Sequence, residues 1–340
     1  MRLKILCVLL FIGFRIQARP LKVVTINVWS GLDYIGNLKM GEYESKTVRE
    51  QRYQLLVDQL KHLDPDVIAL NEANPLPRYA RQIARDLKYD HVEHVGVAGL
   101  HLGPIGLPVN LREGDVILAK KELNLRSAGR KQLSGGYVGR FFTCHFSDAT
   151  QVVGATIEID GCKIYLFNTH WHASLFATPA TLAQFTEQYL TGALDSDPYL
   201  NRLADAVRGK EWRLMEARRM VAFIDKVAGN APTIVMGDFN DLSTSGPITI
   251  LKTAGFTDTF GAAGDVEGYT WDELFNTNIH RHYLMGKPQA DARRDRIDYI
   301  FCRGADLILD SSQVVLNHAP NGLHPSDHFG VMTFFQVSDR

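Results

Sequence analysis

Two stretches of the chain repeat one pattern, in which an apolar strand, an amphipathic helix and a second apolar strand follow one another. In the first stretch, the β-branched run LKVVTINVWSG (21–31) is typical of a strand that enters a loop. Apolar residues at helical spacing predict a helix over 46–63, and Pro65 predicts its end. The apolar run DVIALNEA (66–73) then predicts a second strand, which ends at Glu72.

The same order returns in the second half of the chain. CKIYLFNTHWHA (162–173) predicts a strand that ends at His170, and EWRLMEARRMVAFIDKVAG (211–229) predicts an amphipathic helix. PTIVMGDFND (232–241) predicts another buried strand, which ends at Asp238. We interpret the two stretches as a pseudo-duplication, in which each half delivers polar side chains at the ends of its strands.

Further strands lie between and after these two units. Short apolar or alternating runs predict them at 114–119, 137–146, 151–159, 297–302, 312–316 and 329–336. Turn residues such as Asp160-Gly161 indicate that several of these strands form antiparallel hairpins. The predicted fold is α/β (α+β), a four-layer α/β-β/α sandwich of two mixed, mostly antiparallel sheets with the helices outside.

The N-terminal segment MRLKILCVLLFIGFRIQA (1–18) has a basic start, a short apolar run and a small residue, Ala18. This pattern is typical of a secretory signal peptide, and the run is too short to span a bilayer comfortably. The alternative is a buried first strand or an anchor. We therefore expect a secreted or periplasmic protein with a signal peptide at 1–18 and one catalytic domain at 19–340.

Charge and cysteine content restrict the classes of partner. The chain has 37 basic and 38 acidic residues, and removing residues 1–18 takes away three basic residues and no acidic ones, which leaves a formal charge of −4. A basic surface that coats nucleic acid is not expected, although a nuclease is not excluded. Cys144, Cys162 and Cys302 remain, so one disulfide is allowed and none is required; no Cys/His spacing predicts structural zinc.

Polar residues follow the apolar runs at each predicted strand end. They are Asn27, Glu72, His170, Asp238, Asn240, Asp298, Asp327 and His328. Any one of them has an ordinary explanation in turn formation or in a hydrogen-bonded structural histidine. Turn formation does not require this combination of side chains, whereas hydrolysis of a phosphoester does. That reaction needs carboxylates for a hard divalent cation, a base for water and donors for the phosphoryl oxygens.

Six blocks of the sequence resemble those of the endonuclease/exonuclease/phosphatase superfamily. The blocks are TINVWSG, ALNEAN, FNTHWHA, VMGDFND, RIDYIF and PSDHFG, in that order over about residues 21–337. The superfamily includes deoxyribonucleases, abasic-site endonucleases, inositol polyphosphate 5-phosphatases and secreted sphingomyelinases. One departure is Asn71, where the superfamily usually has Gln before its metal-binding Glu; the amide is retained.

The resemblance implies a metal site and a set of phosphate ligands. Glu72 is implied as the primary ligand of Mg²⁺ (or Mn²⁺), with Asn27 helping to hold the metal or the phosphate and Asp327 directed toward the metal or its waters. Asp238 and Asn240 are expected to alternate along an extended backbone, so that both face the phosphate. One of them would orient the attacking water and the other would donate to a phosphoryl oxygen.

The acid–base roles follow from the same resemblance and from the chemistry of imidazole. His328 is the candidate general base because an unperturbed imidazole titrates near neutral pH. Asp298 is expected to hold the other ring nitrogen of His328, and His170 to stabilise the phosphate or assist the leaving group. His172 is a weaker candidate.

The substrate is left open by the sequence, because it depends on three long loops predicted at 99–114, 173–210 and 261–295. The first candidate is a phosphodiesterase that acts on a lipid head group or small phosphodiester. A secreted endo- or exonuclease, a phosphomonoesterase and a non-catalytic binding module are the alternatives. We expect a monomer without a transmembrane span in the mature chain and without a stable nucleic-acid complex.

Overall fold

The computed structural model describes residues 19–36, 38–102, 105–135, 142–143, 150–264, 268–284 and 292–338. The predicted signal segment 1–18, Cys144 and most of the predicted strand 137–146 lie outside the described residues. The strands are β1 (Arg19–Asn27), β2 (Val67–Ala73), β3 (Tyr89–Leu102), β4 (Ile105–Lys120), β5 (Arg126–Gln132), β6 (Phe142–Thr143), β7 (Gln151–Ile159), β8 (Cys162–His170), β9 (Thr233–Asp238), β10 (Thr257–Asp258), β11 (Trp271–Asp272), β12 (Arg294–Asp295), β13 (Asp298–Arg303), β14 (Leu307–Val315) and β15 (Gly330–Val337). The α-helices are α1 (Lys46–Leu63), α2 (Arg78–Leu87), α3 (Pro179–Leu190), α4 (Ser196–Ala228), α5 (Gly246–Thr253), α6 (Thr259–Ala262) and α7 (Thr277–Ile279).

Two large sheets have nearly the same internal plan. The first has the strand order β14-β15-β1-β2-β4-β3-β6, and only its β1–β2 pair is parallel. The second has the order β10-β13-β9-β8-β7-β5, and only its β8–β9 pair is parallel. In each sheet the parallel pair is joined by a crossover helix, α1 in the first and α4 in the second, as a parallel connection requires. The predicted pseudo-duplication is therefore present.

The two sheets pack face to face and carry helices on their outer faces. Val23 and Val67 of the first sheet share a buried cluster with Ile234 of the second, which forms the core between the sheets. Val24 and the α1 residue Leu56 lie in a separate outer cluster. Val235 packs in a third cluster with the α4 residues Ala217, Met220 and Ile224. Because neighbouring strand residues point to opposite faces, each central strand contributes to two cores. The predicted four-layer sandwich is confirmed.

Local signals account for the predicted helix α1. The Ser45 hydroxyl accepts a hydrogen bond from the Val48 amide at 3.4 Å, which caps the N-terminus of the helix. Asp64 closes the C-terminus in the left-handed conformation, with φ 46°, and Pro65 follows. The predicted bounds of this helix are those of the structure. The turn at Asp160-Gly161 is also confirmed, since Ile159 pairs with Cys162 across it.

The three predicted loops are more regular than expected. Residues 173–210 contain α3 and the first part of α4, which begins at Ser196 and not at the predicted residue 211. Residues 99–102 belong to β3 and residues 105–114 to β4, and the described part of 261–295 contains β11, α7 and β12. In α4, most residues before 211, such as Leu200, are exposed, and the buried residues there are the small Ala206 and Gly209. This part of the helix therefore lacks the stripe of large apolar residues that periodicity detects.

No helix among the described residues is long and apolar enough to cross a membrane. Cys302 is a buried free thiol in β13, where burial raises its pKa to about 11.

Candidate active site

The ends of the parallel strands bring the predicted polar residues to one edge of the sandwich. Asn27 is aligned with Asn71 across β1 and β2, and His170 with Asp238 across β8 and β9. Asp298 begins β13 directly opposite Asp238. Because parallel strands end at the same edge of a sheet, residues far apart in the sequence meet there.

Asn27 joins the two halves of this site. Its Nδ2 donates hydrogen bonds to Glu72 Oε1 at 2.9 Å and to Asp238 Oδ2 at 3.1 Å. Its Oδ1 accepts from the Trp29 amide at 3.0 Å, and the Ser30 amide donates to Glu72 Oε2 at 3.1 Å. Asn27 therefore orients the carboxylate of each half. In this structure it does so through its nitrogen, and its oxygen faces the backbone.

His328 and Asp298 form the closest acid–imidazole pair of the site. The Nδ1 of His328 lies 2.9 Å from Asp298 Oδ2, and its Nε2 lies 3.8 Å from Asp238 Oδ2. The ring also packs edge-on against Trp271, with centroids 5.2 Å apart. Since Asp298 accepts the Nδ1 proton, Nε2 is the nitrogen directed toward Asp238 and the rest of the site.

Charge around His328 shifts its titration away from that of free imidazole. Burial alone would lower the pKa of His328, but the carboxylates of Asp298 and Asp238 outweigh it and raise the pKa to about 10. The two carboxylates therefore hold the pKa of His328 well above the near-neutral value on which the base assignment rested.

His170 lies on the other side of Asp238. Its Nε2 is 3.6 Å from Asp238 Oδ2, and its side chain is 22% exposed. Burial lowers the pKa of His170, but Asp238, Glu72 and further carboxylates raise it to about 9. The Asp238 carboxylate is thus flanked by two imidazoles that are cationic at neutral pH.

Asn240 departs from the expected geometry. The strand β9 ends at Asp238, and Asn240 has a left-handed backbone with φ 47°. Its amide N–H donates to Asp238 Oδ1 at 2.9 Å, while its side-chain Nδ2 donates to the Trp171 carbonyl at 3.0 Å. Phe239 is fully buried, as expected. The expectation that Asp238 and Asn240 alternate along an extended strand is wrong, because a tight turn follows Asp238 at once.

Asp327 is held by two hydroxyl groups. Its Oδ2 accepts from the Tyr283 hydroxyl at 3.2 Å, and its Oδ1 accepts from Ser326 Oγ at 3.2 Å. Burial raises the pKa of Asp327 to about 6, and the Glu72 carboxylate adds to this shift while the His328 cation opposes it. Asp327 and Glu72 therefore share one electrostatic neighbourhood.

The sequence analysis named Asn71 only as a departure from the superfamily, and it did not identify four further polar residues beneath and beside the site. They are Glu113, Asp115, Gln151 and Asn168. Asn71 Oδ1 accepts the Asp238 amide at 3.0 Å, and Asn71 Nδ2 donates to Asp115 Oδ1 at 2.7 Å. The available signal was an acid repeated with period two at Glu113 and Asp115, at the start of a strand segment, 113–119, whose residues are all buried.

The donor set of the site fits a hard divalent cation. Asp238, Asp298 and His328 offer ligand atoms within 4.8 Å of one another. Among the ion pairs of the described residues, none joins Glu72 or Asp238 to Lys or Arg, and the partners of Asp238 are the imidazoles of His170 and His328. Burial, with repulsion from Glu72, raises the pKa of Glu113 to about 8. Carboxylate oxygens with excess negative charge are the ligands that Mg²⁺ and Mn²⁺ prefer.

Glu72 is a better candidate for the primary metal ligand than the group formed by Asp238, Asp298 and His328. In that group the Asp298 carboxylate and His328 Nδ1 are already paired at 2.9 Å. Glu72 is half-buried at the edge of the site and is oriented by Asn27 and the Ser30 amide. A metal bound at Glu72 would leave the Asp298–His328 pair intact.

The fold is similar to that of several solved structures. One is the endonuclease/exonuclease/phosphatase from Bacteroides vulgatus, at 15% identity and TM-score 0.61, covering 94% of this chain and 99% of that one. Another is D. rerio TDP2 complexed with a single-strand DNA product, at 19% identity and TM-score 0.59, covering 93% and 98%. A third is TDP2 from C. elegans, at 16% identity and TM-score 0.54, covering 94% and 75%.

No curated protein sequence matches the chain. The sequence does match the family described as Endonuclease/Exonuclease/phosphatase family over residues 24–328, which spans most of the chain and contains every candidate site residue. The match runs from β1 to the Asp327-His328 pair, so it includes both halves of the sandwich. The chain therefore belongs to the endonuclease/exonuclease/phosphatase family, whose members are metal-dependent phosphoesterases and nucleases.

Proposed function

We propose that the protein is a divalent-metal-dependent phosphodiesterase that hydrolyses its substrate by attack of water. The observation that carries this proposal is the Asp298–His328 pair, whose free nitrogen Nε2 is directed at Asp238 beside Glu72 and Asn27. This arrangement combines an oriented base, a second carboxylate for the water and a half-buried acid for the metal.

The residues of the chain divide the proton transfers between them. His328 Nε2 accepts a proton from the water whose oxygen attacks phosphorus, and Asp298 stabilises the resulting imidazolium. Asp238 orients this water. His170, which is cationic below its pKa of about 9, donates a proton to the leaving alcohol as the P–O bond breaks. Asn240 Nδ2 donates one hydrogen to the Trp171 carbonyl and has a second for a phosphoryl oxygen, whereas Asn27 acts by orienting Glu72 and Asp238.

Glu72, supported by Asn27 and Asp327, would hold Mg²⁺ or Mn²⁺, which when bound neutralises phosphate charge and lowers the pKa of His328 by repulsion between cations. This charge effect supports the role of His328 as a base, because it opposes the carboxylates that raise its pKa in the metal-free protein.

Removal of the proposed base is the first test. We expect His328→Ala to lower kcat on bis-p-nitrophenyl phosphate with Mg²⁺ by about 10²–10⁴-fold, the usual contribution of general acid–base catalysis. His318→Ala is the control and should retain activity, because His318 is an exposed histidine that precedes His328 in the chain. Near-normal turnover of His328→Ala with an intact fold would remove His328 from this role.

Removal of the metal is the second test. We expect EDTA to abolish hydrolysis of the same substrate and added Mg²⁺ or Mn²⁺ to restore it, because the phosphoryl charge is then no longer neutralised. The rate should be measured before chelation, after dialysis against EDTA and after each metal is added back. Full activity in the dialysed protein would contradict a metal-dependent reaction.

A nuclease is the second candidate, favoured by an aromatic surface next to His328. Trp271, Tyr283 and Tyr43 form this surface: the Trp271–Tyr283 and Tyr43–Tyr283 ring centroids are each 5.7 Å apart, and Tyr43 and Tyr283 are exposed. Exposed rings beside a phosphate site can stack a base. The nearby Arg293 and Arg294 pair with Asp295 and Asp272, however, so they are already engaged.

A substrate panel separates the candidates. It contains bis-p-nitrophenyl phosphate, sphingomyelin, plasmid DNA and sugar phosphates, each with Mg²⁺. Cleavage of small or lipid phosphodiesters supports the first proposal, and plasmid nicking alone supports a nuclease. Hydrolysis of sugar monophosphates alone indicates a phosphomonoesterase, and inactivity on every substrate indicates a non-catalytic binding module.

The segment 1–18 is proposed to be a signal peptide that is removed on export, leaving residues 19–340 as one catalytic domain. The basic start and short apolar run of the sequence support this proposal. Intact-mass measurement of the exported protein should then give a chain that begins at Arg19. A mass that retains residues 1–18 would contradict cleavage.

A further inference from the structure

The loop between β1 and α1 carries aliphatic side chains into solvent. Ile35 is 74% exposed and Leu38 is 65% exposed, and Val109 of β4 beside them is 55% exposed. The Val109 amide donates to the Leu38 carbonyl at 2.9 Å, and the Gly41 amide donates to the Ile35 carbonyl at 2.9 Å. Backbone hydrogen bonds therefore hold Ile35, Leu38 and Val109 together, and we refer to these three residues as the apolar tip.

The fold does not need apolar side chains at the apolar tip. Leu32 and Met40 of the same loop are buried and pack with Leu111 of β4 in a separate apolar cluster, which anchors the loop. A single exposed apolar residue is ordinary on a protein surface, but neighbouring ones beside a functional site mark a contact with something outside the molecule.

The apolar tip lies at the opening of the candidate active site. A cavity of about 370 Å³ adjoins Glu72 and His170, and Tyr34, the residue before Ile35, lines this cavity as well. The Tyr34 side chain is also exposed, which places it at the opening, and its hydroxyl donates to Glu113 Oε2 inside. A surface that covers the apolar tip therefore meets the opening of the site.

Exposed tyrosines lie between the apolar tip and the charged site. Tyr34 and Tyr283 each donate a hydroxyl hydrogen bond to a carboxylate, which is Glu113 for the first and Asp327 for the second. Tyr43 continues this row of exposed rings, with its centroid 5.7 Å from that of Tyr283. A bilayer presents hydrocarbon, interface and water in the matching order, and tyrosines are enriched at its interface.

The charges next to the apolar tip are paired with one another. Lys39 and Arg49 lie 3.3 Å and 3.1 Å from the carboxylate of Glu42, and Lys46 lies 3.6 Å from that of Glu50. An anionic membrane or a nucleic acid would be attracted by unpaired cations. This balance of charge fits a zwitterionic lipid surface instead.

We propose that the apolar tip inserts into a bilayer of zwitterionic phospholipid and brings the phosphodiester of a lipid head group to the opening of the site. Phosphodiesters of lipids lie directly outside the hydrocarbon, so insertion of Ile35, Leu38 and Val109 leaves Tyr34 and Tyr283 at the level of the head groups. This inference rests on the proposed phosphodiesterase function and deepens it by naming the partner surface and the substrate class.

Sedimentation with phosphatidylcholine vesicles tests the docking without any chemistry. We expect the double variant Ile35→Ser/Leu38→Ser to lower the partition coefficient by about 10-fold or more, because two aliphatic side chains no longer leave water. Ile308→Ser, at an exposed isoleucine of β14, is the matched control and should bind as the wild type does. The exported protein is used for every variant, so that any effect of segment 1–18 is common to all. Equal binding of the double variant and the wild type would overturn the proposal.

Hydrolysis of two kinds of substrate then connects docking to the reaction. The double variant should hydrolyse soluble bis-p-nitrophenyl phosphate with Mg²⁺ at the wild-type rate. It should release the head group of sphingomyelin or phosphatidylcholine from vesicles about 10-fold more slowly, in proportion to its weaker binding. Equal losses on the soluble and the vesicle substrates would overturn the proposal.

Two outcomes would assign the contact to another surface or another occupant. Loss of vesicle binding in Leu200→Ser, with binding retained in the double variant, would move the docking surface to the exposed part of α4. A wild-type dimer in sedimentation equilibrium that the double variant converts to a monomer would assign the apolar tip to a second copy of the chain. Either result would overturn the proposal.

The two proposals can fail separately. Vesicle binding by a wild-type protein that hydrolyses no phosphodiester would contradict the proposed function and leave the docking standing. Hydrolysis of bis-p-nitrophenyl phosphate by a wild-type protein that does not bind vesicles would overturn the docking and leave the function standing.

Discussion

At the scale of single residues, the site is controlled by pairs of charges buried together. Asp298 is fully buried, and its Oδ2 holds His328 Nδ1 at 2.9 Å. Its other oxygen, Oδ1, has no hydrogen-bond partner, so its charge is compensated mainly by His328. Such a pair orients the imidazole and stabilises its cationic form, which is the role of an acid behind a catalytic histidine.

The substitution Asp298→Asn tests this pairing through pH dependence. Asp298 raises the pKa of His328, so its neutralisation should lower that pKa from about 10 in the metal-free protein. Because the base must be neutral, the acid limb of the pH–rate profile should move to lower pH. In addition, kcat should fall by about 10²–10⁴-fold, because the imidazolium is no longer stabilised.

The pKa of His328 is measured by NMR titration of its ring protons in metal-free protein. The acid limb of the pH–rate profile is measured from kcat/KM as a function of pH with Mg²⁺. Asp160→Asn is the control, because Asp160 forms only an exposed pair with Arg19 at 3.4 Å. An unchanged His328 pKa in Asp298→Asn would show that the pairing does not control its titration.

At the scale of elements, each crossover helix holds the loops of its own half through a buried arginine. On α1, Arg52 Nε donates to Glu44 Oε2 at 2.6 Å and its Nη1 donates to the Pro325 carbonyl at 2.9 Å. On α4, Arg213 Nε donates to Asp241 Oδ2 at 3.0 Å and its Nη1 donates to the His172 carbonyl at 3.2 Å. The planar guanidinium serves several acceptors at once, so each helix fixes the backbone next to candidate site residues.

The substitution Arg52→Ala tests the first of these contacts. Removing Arg52 leaves the buried Glu44 carboxylate with His282 Nε2, at 3.5 Å, in place of its close guanidinium partner, so we expect the free energy of unfolding to fall by about 3–5 kcal/mol. The activity should fall as well, because Pro325 precedes the Asp327-His328 pair and loses its anchor. Urea denaturation followed by tryptophan fluorescence measures the first effect, and kcat/KM the second.

Lys46→Ala on the same helix is the matched control. Lys46 pairs with Glu50 at 3.6 Å on the exposed surface, where such pairs contribute about 0.5 kcal/mol or less. Equal stability of Arg52→Ala and Lys46→Ala would show that the buried arginine does not hold these loops together.

At the scale of the whole molecule, two buried amides connect the sheets beneath the site. Asn71 Nδ2 of the first sheet donates to Asn168 Oδ1 of the second at 3.0 Å and to the Thr169 carbonyl at 3.1 Å. In return, Asn168 Nδ2 donates to the Leu70 carbonyl at 2.9 Å and to the Val116 carbonyl at 3.0 Å. Polar networks in a low-dielectric core require a specific alignment of their members, so these amides set the register of one sheet on the other.

Asn71→Ala and Asn168→Ala form a matched pair of tests for this network. Each breaks the bond between the sheets and leaves buried partners unsatisfied, so we expect both to lower the free energy of unfolding by about 1–3 kcal/mol. Only Asn71 also accepts the Asp238 amide, at 3.0 Å. Asn71→Ala should therefore lower kcat more than Asn168→Ala does.

The free energy of unfolding is measured by urea denaturation. The kcat of each variant is measured on bis-p-nitrophenyl phosphate with Mg²⁺. Equal losses of kcat in the two variants would contradict a specific link from Asn71 to Asp238. A gain in stability in either variant would contradict the network.

Much of the fold could be predicted from local patterns. The helix 46–63 has its own cap and stop, and the strands 151–159 and 162–170 are joined by a turn whose residues tolerate the required backbone. The first part of α4 and the helix α3 could not be predicted. They are largely exposed, so no apolar stripe marks them. Their mutual contact includes Tyr189 of α3 and Tyr199 of α4, whose rings stack with centroids 4.8 Å apart.

The sequence by itself determined the family of this protein and its candidate site residues, because the polar residue types at strand ends and the order of their blocks are local properties of the chain. The tertiary structure alone decided how these residues are arranged. It placed Asn27 between Glu72 and Asp238 and put Asn240 in a turn. It also raised the pKa of His328 and formed the cavity beside Glu113 and Gln151. Distances, burial and mutual charge arise only when residues far apart in sequence come into contact, and no periodicity along one strand or helix encodes them.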